Sequence, residues 1–313
     1  MIANPLKPFL SQQGFVMLDG GLATEMEKHG ANLDDHLWSA RMLIDAPEMV
    51  RRVHTDFLRA GADVIATATY QASFEGFAKA GYKPAQAERL MRLSVDLADL
   101  ARETFWARTE NRSGRLRPLV AASIGPYGAC LHDGSEYHGN YGLDKKALID
   151  FHRPRMALLA ETDVDLFAFE TIPSLLEAEA LAELLQEFPQ KCAWLSFSCK
   201  DERCISHGEP LSEGIQVAEA AEQIVAAGLN CTAPEYVNGL LDSLPQVATT
   251  VVVYPNSGET WSADGNQWSG TKCGSLPVTD WFDRGARIIG GCCRTKLDAI
   301  VRMRAELSQH VKS

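Results

Sequence analysis

No apolar run in this sequence approaches the roughly 18 residues that a membrane-spanning helix needs. The opening segment, MIANPLKPFLSQQGF, lacks the basic region and apolar stretch of a secretory signal. Positive charge is also in deficit. Lysine and arginine number 30 against 41 acidic residues, a formal net charge of -11 with no acidic tail. That balance argues against a nucleic-acid partner and against an anionic membrane surface. No apolar run leads into a G-x-G-x-x-G turn, so nothing asks for a dinucleotide. No C-x-x-C pair is present and the eight histidines show no metal-ligand spacing, which removes the most easily read zinc sites. No linker or low-complexity segment divides the chain. The expectation is one domain over residues 1–313, in the cytoplasm, where eight cysteines without a signal read as reduced thiols.

Short apolar, β-rich runs recur instead, each followed by a helical pattern. They are FVMLD (15–19), DVIATATY (63–70), LVAASIG (119–125), DLFAFET (165–171), CAWLSFS (192–198), GLNC (228–231), TVVVYPN (250–256) and ARIIGG (286–291). Most are continuously apolar, as strands buried on both faces of a parallel sheet must be. Amphipathic stretches such as 47–61, 84–109 and 174–188 lie between them. Strand-then-helix alternation repeated eight times predicts a closed (β/α)8 TIM barrel of the α/β class; an open doubly wound sheet is the competitor. Two connections, 125–144 and 256–275, are unusually long and rich in glycine and aromatics, which predicts ordered loops covering a substrate.

Polar residues gather where these strands end: Asp19, Thr69, Tyr70, Ser123, Glu170, Cys231 and Asn256, with Cys292 and Cys293 just beyond the eighth. In a barrel all those ends surround one mouth, where catalytic residues sit. GGCCR at 290–294 carries the most chemistry. Neighbouring side chains on a strand face opposite ways, so two adjacent thiols can share an ion only if the strand stops or twists there. Gly290 and Gly291 are expected to give that backbone freedom. Cys231, ending another strand, is the candidate third sulfur. On spacing alone, a metal site and buried structural cysteines both remain open. Cys130, Cys192, Cys199, Cys204 and Cys273 read as structural or incidental, and His152 as packed or capping. Three thiolates on Zn2+ would leave one open position suited to a fourth sulfur. Coordination would take the proton from a substrate thiol whose pKa is ordinarily near 8.5.

At this point the chain resembles the homocysteine S-methyltransferase family. The likeness is carried by LDGGLATEM (18–26), NLDDHLWSA (32–40), TATYQAS (67–73), SIGPYGACLHDGSEYHGNY (123–141), FHRPR (151–155), FET (169–171), GLNC (228–231), VVYPNSGE (252–259) and GGCCRT (290–295). These run in order along nearly the whole chain and are very specific together. The resemblance implies a TIM barrel, zinc on Cys231, Cys292 and Cys293, and Asp19 and Glu170 as substrate-binding acids. Thr69, Ser123 and Asn256 are placed with them as substrate-side residues. The segment after GLN reads CTAPEY here, so the following helix is expected to begin differently.

The resemblance implies methyl transfer to homocysteine, giving methionine. The expectation is that 313 residues leave no room for the extra domains of folate- and cobalamin-dependent relatives, and that an end about twenty residues past Cys293 leaves none for the longer C-terminal extension of betaine-dependent ones. A sulfonium donor, S-methylmethionine or S-adenosylmethionine, is therefore expected. A different donor such as betaine, or a barrel with only a structural zinc, is the alternative. Aromatic faces stabilise such cations by roughly 0.5–2 kcal/mol. Trp38, Tyr70, Tyr137 and Tyr141 are the candidates for that contact. A monomer or small homo-oligomer is expected, with no nucleic-acid and no membrane partner.

Overall fold

Eight parallel strands form one sheet: β1 (Val16–Met17), β2 (Val64–Ala66), β3 (Leu119–Ile124), β4 (Leu166–Ile172), β5 (Ala193–Phe197), β6 (Ile224–Asn230), β7 (Thr250–Tyr254) and β10 (Ala286–Ile289). Their order is β1-β10-β7-β6-β5-β4-β3-β2. A parallel bridge between Leu18 and Val64 brings β1 back to β2 and closes the ring. This is the (β/α)8 barrel the alternation predicted. The computed structural model describes residues 3–32, 38–131, 133–262, 267–269 and 273–312. Among them, no helix is long and apolar enough to cross a membrane.

The strands are buried on both faces, and their period of two divides the core into layers. Val16, Leu18, Leu119, Ala121, Leu166, Ala168, Trp194, Val252 and Tyr254 fill the barrel. Met17, Ile65, Val120, Phe167, Phe169, Leu195 and Val253 face the helices. The outer helices supply matching apolar stripes. On Pro47–Ala60, Val50, Val53, His54, Phe57 and Leu58 are buried, at the i, i+3, i+4, i+7 spacing of one face. Side-chain caps fix several helix starts: Ser73 accepts from Gly76, Asp144 from Ala147 and Ser174 from Glu177.

The two ends of the barrel differ in chemistry. At the N-terminal end, Leu6 and Phe9 join the inner apolar cluster. Beside them the fully buried Asp63 accepts from the Met17 amide at 3.0 Å, Gln13 at 2.6 Å and Arg304 at 2.9 Å. One carboxylate thus ties the first helix, the first strand and the last helix together. At the C-terminal end the same inward parity changes character. The inward series 119, 121, 123 ends in Ser123, and 166, 168, 170 ends in Glu170.

Several strands end earlier than the sequence runs suggested. β2 stops at Ala66, so Thr69 and Tyr70 lie in the turn beyond it. β7 stops at Tyr254, leaving Asn256 in the next loop. That long loop is not wholly irregular: Thr260–Ser262 (β8) and Gln267–Ser269 (β9) pair antiparallel. The helix after β6 starts at Pro234, with proline in the first turn, where its missing N–H is harmless.

Candidate functional site

Cys231, Cys292 and Cys293 converge at the mouth with all three sulfurs within 4.8 Å of one another. The Cys231 and Cys293 sulfurs stand 3.7 Å apart. Adjacent thiols reach one point because the chain turns after β10: the Cys292 amide donates to Pro255, and the Thr295 amide returns to the Cys292 carbonyl. Gly290 and Gly291 matter here for closeness rather than for left-handed backbone, since neither has a positive φ. A Cβ on Gly290 would lie 2.6 Å from Leu18 Cβ, and one on Gly291 2.1 Å from Thr295 Cγ2. The expectation of conformational freedom is corrected to one of space.

Among the described residues, the non-glycine positions with positive φ are Thr171 (61°), Cys231 (46°) and Arg294 (65°). Each flanks or belongs to this mouth. Such conformations cost about 1–3 kcal/mol apiece and persist where surrounding structure over-determines them. Hydrogen bonding from Cys292 and Cys293 holds the Cys231 thiol well below the usual thiol range, and in turn Cys231 pushes the other two up. Tyr137 Oη lies 3.4 Å from the Cys231 sulfur, and Asn230 Nδ2 lies 3.8 Å from that of Cys292. These contacts surround the sulfurs with donors, as metal-ligating thiolates require.

Two carboxyls flank the sulfurs. Asp19 accepts from the Ala66 amide at 2.9 Å. Burial holds its pKa well above the carboxylate range, and the charge of Glu170 adds to that. Burial pushes Glu170 up to about 7, against the opposing donation of Ser123 and Tyr254. The Ser123 hydroxyl donates to Glu170, and Tyr254 Oη donates at 3.1 Å. Tyr254 also meets Ser196 at 2.6 Å and receives the Trp194 indole N–H at 2.9 Å. Tyr254 and Asn230 escape notice in the sequence, being a tyrosine in a β-branched run and an asparagine beside a more conspicuous cysteine.

The remaining predicted residues spread more widely. Thr69 is fully buried and gives its hydroxyl to the Ser123 carbonyl at 2.7 Å. Asn256 turns its side-chain oxygen to the Gly258 amide at 2.8 Å. Tyr70 packs so closely on Gly125 that a Cβ there would sit 2.7 Å from its ring. Tyr141 stacks edge-on against Tyr127 at 5.2 Å. Trp38 opens the turn Trp38–Arg41, but its side chain lies outside the described residues. His152 is buried and packed, 2.9 Å from Glu177 and 2.8 Å from Arg155. Cys192 is buried in the inner cluster, whereas Cys273 is exposed.

Comparison with known proteins gives a consistent answer. The profile of the homocysteine S-methyltransferase family matches residues 16–307. Homocysteine S-methyltransferase YbgG of Bacillus subtilis (strain 168) is 47% identical over 306 residues, covering 96% of this chain and 97% of its own. The homocysteine S-methyltransferase of Escherichia coli (strain K12) is 45% identical over 307 residues, covering 96% and 98%. The crystal structure of the Escherichia coli homocysteine methyltransferase MmuM in its metallated form superposes with a TM-score of 0.86 at 43% identity, over 97% of this chain and 100% of that one.

Proposed function

The chain belongs to the homocysteine S-methyltransferase family and is a methyltransferase, and from that premise we propose a zinc-dependent enzyme that takes its methyl group from a sulfonium. The donor is S-methylmethionine or S-adenosylmethionine, the acceptor is homocysteine and the product is methionine. Residues 1–313 act as one homocysteine-binding barrel.

The observation that carries the zinc assignment is the convergence of three sulfurs near the buried Asp19 and the half-buried Glu170. Tetrahedral zinc with bonds of about 2.3 Å would separate its sulfur ligands by about 3.8 Å, close to the 3.7 Å between Cys231 and Cys293. Cys231, Cys292 and Cys293 would hold the ion, which when bound would supply the Lewis acidity that removes the acceptor's thiol proton. The cluster found among the described residues has three members. A structural zinc would ordinarily have four protein ligands, so this favours a site open to substrate.

An ammonium offers three donors and no acceptor. Asp19 and Glu170 take two of them in charge-assisted hydrogen bonds and aim the acceptor's sulfur at the methyl. Ser123 and Tyr254 orient the Glu170 carboxyl. Thr69 and Asn256 shape the wall on that side, while Tyr70, Tyr137 and Tyr141 line the donor's, and Trp38 remains the fourth aromatic candidate for the donor contact. A neutral thioether leaves the donor, so the chain need supply no proton at that step. Asp19 and Glu170 are therefore charge partners rather than a general acid and base.

Metal analysis and a donor panel test the proposal together. Wild-type protein should carry one zinc per chain, and a Cys231→Ala, Cys292→Ala double variant should carry none. S-methylmethionine or S-adenosylmethionine should support methionine formation where betaine does not. Stoichiometric zinc in the double variant would overturn the ligand set, and turnover with betaine alone would overturn the donor class.

A further inference from the structure

Glu136 belongs to the single turn Ser135–Tyr137, in the loop that follows β3. Its backbone is pinned at two places. Its carbonyl accepts from Ser198 Oγ, just beyond β5, at 3.2 Å, and Ser206 donates to that same hydroxyl at 2.8 Å. From below, Gly128 approaches so closely that a Cβ there would stand 2.5 Å from the Glu136 amide. The side chain is not similarly satisfied. Oε2 is buried and has no hydrogen-bond partner among the described residues. A buried carboxylate oxygen without a donor carries the full cost of its desolvation. Burial accordingly pushes Glu136 up to about 7.

The surroundings show where this oxygen sits. Burial raises Tyr70, Tyr137 and Tyr141, with the charge of Glu136 adding to each, and the adjacent Tyr137 reaches the Cys231 sulfur. Cys231 acts on both Glu136 and Glu170, whereas Asp19 is acted on by Glu170. The mouth therefore holds a carboxyl pair on the β1 and β4 side and a separate carboxyl among the tyrosines.

We propose that Glu136 is the donor-side specificity residue, its carboxylate taking the α-ammonium of an amino-acid sulfonium. This rests on the sulfonium-donor reading above. The sulfonium charge itself is the poorer partner. It vanishes as the methyl leaves, so a carboxylate against it would stabilise the ground state more than the transition state. The ammonium charge persists through the reaction and can be held without that penalty.

The test is steady-state kinetics of wild type and Glu136→Gln with S-methylmethionine and with its desamino analogue, (3-carboxypropyl)dimethylsulfonium. Glu136→Gln should raise the KM for S-methylmethionine about 10- to 100-fold, as expected for losing a buried charge partner. Its kcat should change little and its KM for homocysteine should not move. The wild type alone should bind the desamino analogue, as donor or competitive inhibitor, at least about tenfold more weakly than S-methylmethionine, and the variant should close that gap. Equal wild-type affinity for the two sulfoniums would overturn the inference even if the variant failed to fold. So would a variant in which the homocysteine KM rises and the donor KM does not. If wild type accepts methyl groups from no sulfonium but does from another donor, the donor reading has failed and the inference falls with it.

Discussion

Asn230 grips Thr171 at two points, accepting its amide at 2.6 Å and donating to its hydroxyl at 2.8 Å. Thr171 needs that grip. Its φ of 61° is uncommon for a β-branched residue, and the β4 register shifts between Phe169 and Ile172 to accommodate it. Glu170 lies inside that irregularity, so the direction of its carboxyl depends on the pair.

Asn230→Ala should therefore destabilise the protein by about 2–4 kcal/mol, from two buried hydrogen bonds lost and unsatisfied groups left behind. It should raise the homocysteine KM more than it lowers kcat. Thr171→Gly, which adopts the same φ freely, should cost distinctly less. Urea denaturation and initial-rate kinetics on both variants give the comparison. Equal destabilisation by the two would show that the kink is not what Asn230 supports.

Glu170→Gln and Asp19→Asn should retain zinc yet bind homocysteine much more weakly, and a simple thiol lacking the amino group should be far less affected. The proposed role also has a pH signature. The Glu170 carboxyl is raised to about 7, so it is neutral below that pH and charged above it. Affinity for an ammonium should climb as pH rises toward 7 and level off beyond. Methionine is the cleaner probe, because it has no thiol to ionise. Calorimetry of methionine binding from about pH 5.5 to 8.5 should show this limb in wild type and lose it in Glu170→Gln. A limb that survives the substitution assigns it to another group.

The knot around Asp63 should behave in the opposite way. Asp63→Ala strips the half-buried Arg304 of its carboxylate partner and leaves the Met17 amide unmatched, a change of about 2–4 kcal/mol in stability. Below the unfolding transition, homocysteine and donor KM values should stay at wild-type levels, because Asp63 lies at the far end of the barrel. Denaturant midpoints and KM measured side by side check both halves. An altered KM in the folded variant would mean that the two ends communicate.

Much of this was legible in the sequence because a parallel strand covered on both sides leaves little choice of residue. LVAASI and CAWLSFS announce themselves, and the mouth residues fall out of their inward parity. Ser123 and Glu170 continue the 119–121 and 166–168 series without a break. Residues whose importance comes only from a neighbour stay hidden. Nothing in TVVVY separates the Tyr254 hydroxyl from core packing, and its bond to Glu170 spans 84 residues of sequence. Glu136 sits in plain view in GSEY, but its missing partner is a fact of burial that no spacing encodes. Gly290 and Gly291 were conspicuous for the wrong reason, since crowding by Leu18 and Thr295 depends on packing partners that spacing does not reveal.

The three cysteines come from just beyond β6 and from the turn after β10, and β10 is the strand that joins β7 to β1. A ribosome delivering this chain makes Cys231 long before it makes its partners. Until β10 finds both neighbours, the thiols have no common point to face. Capture of a metal there would then be the last act of folding rather than its seed, and a nascent chain stalled short of Cys292 should present Cys231 to thiol reagents while most of its strands already exist.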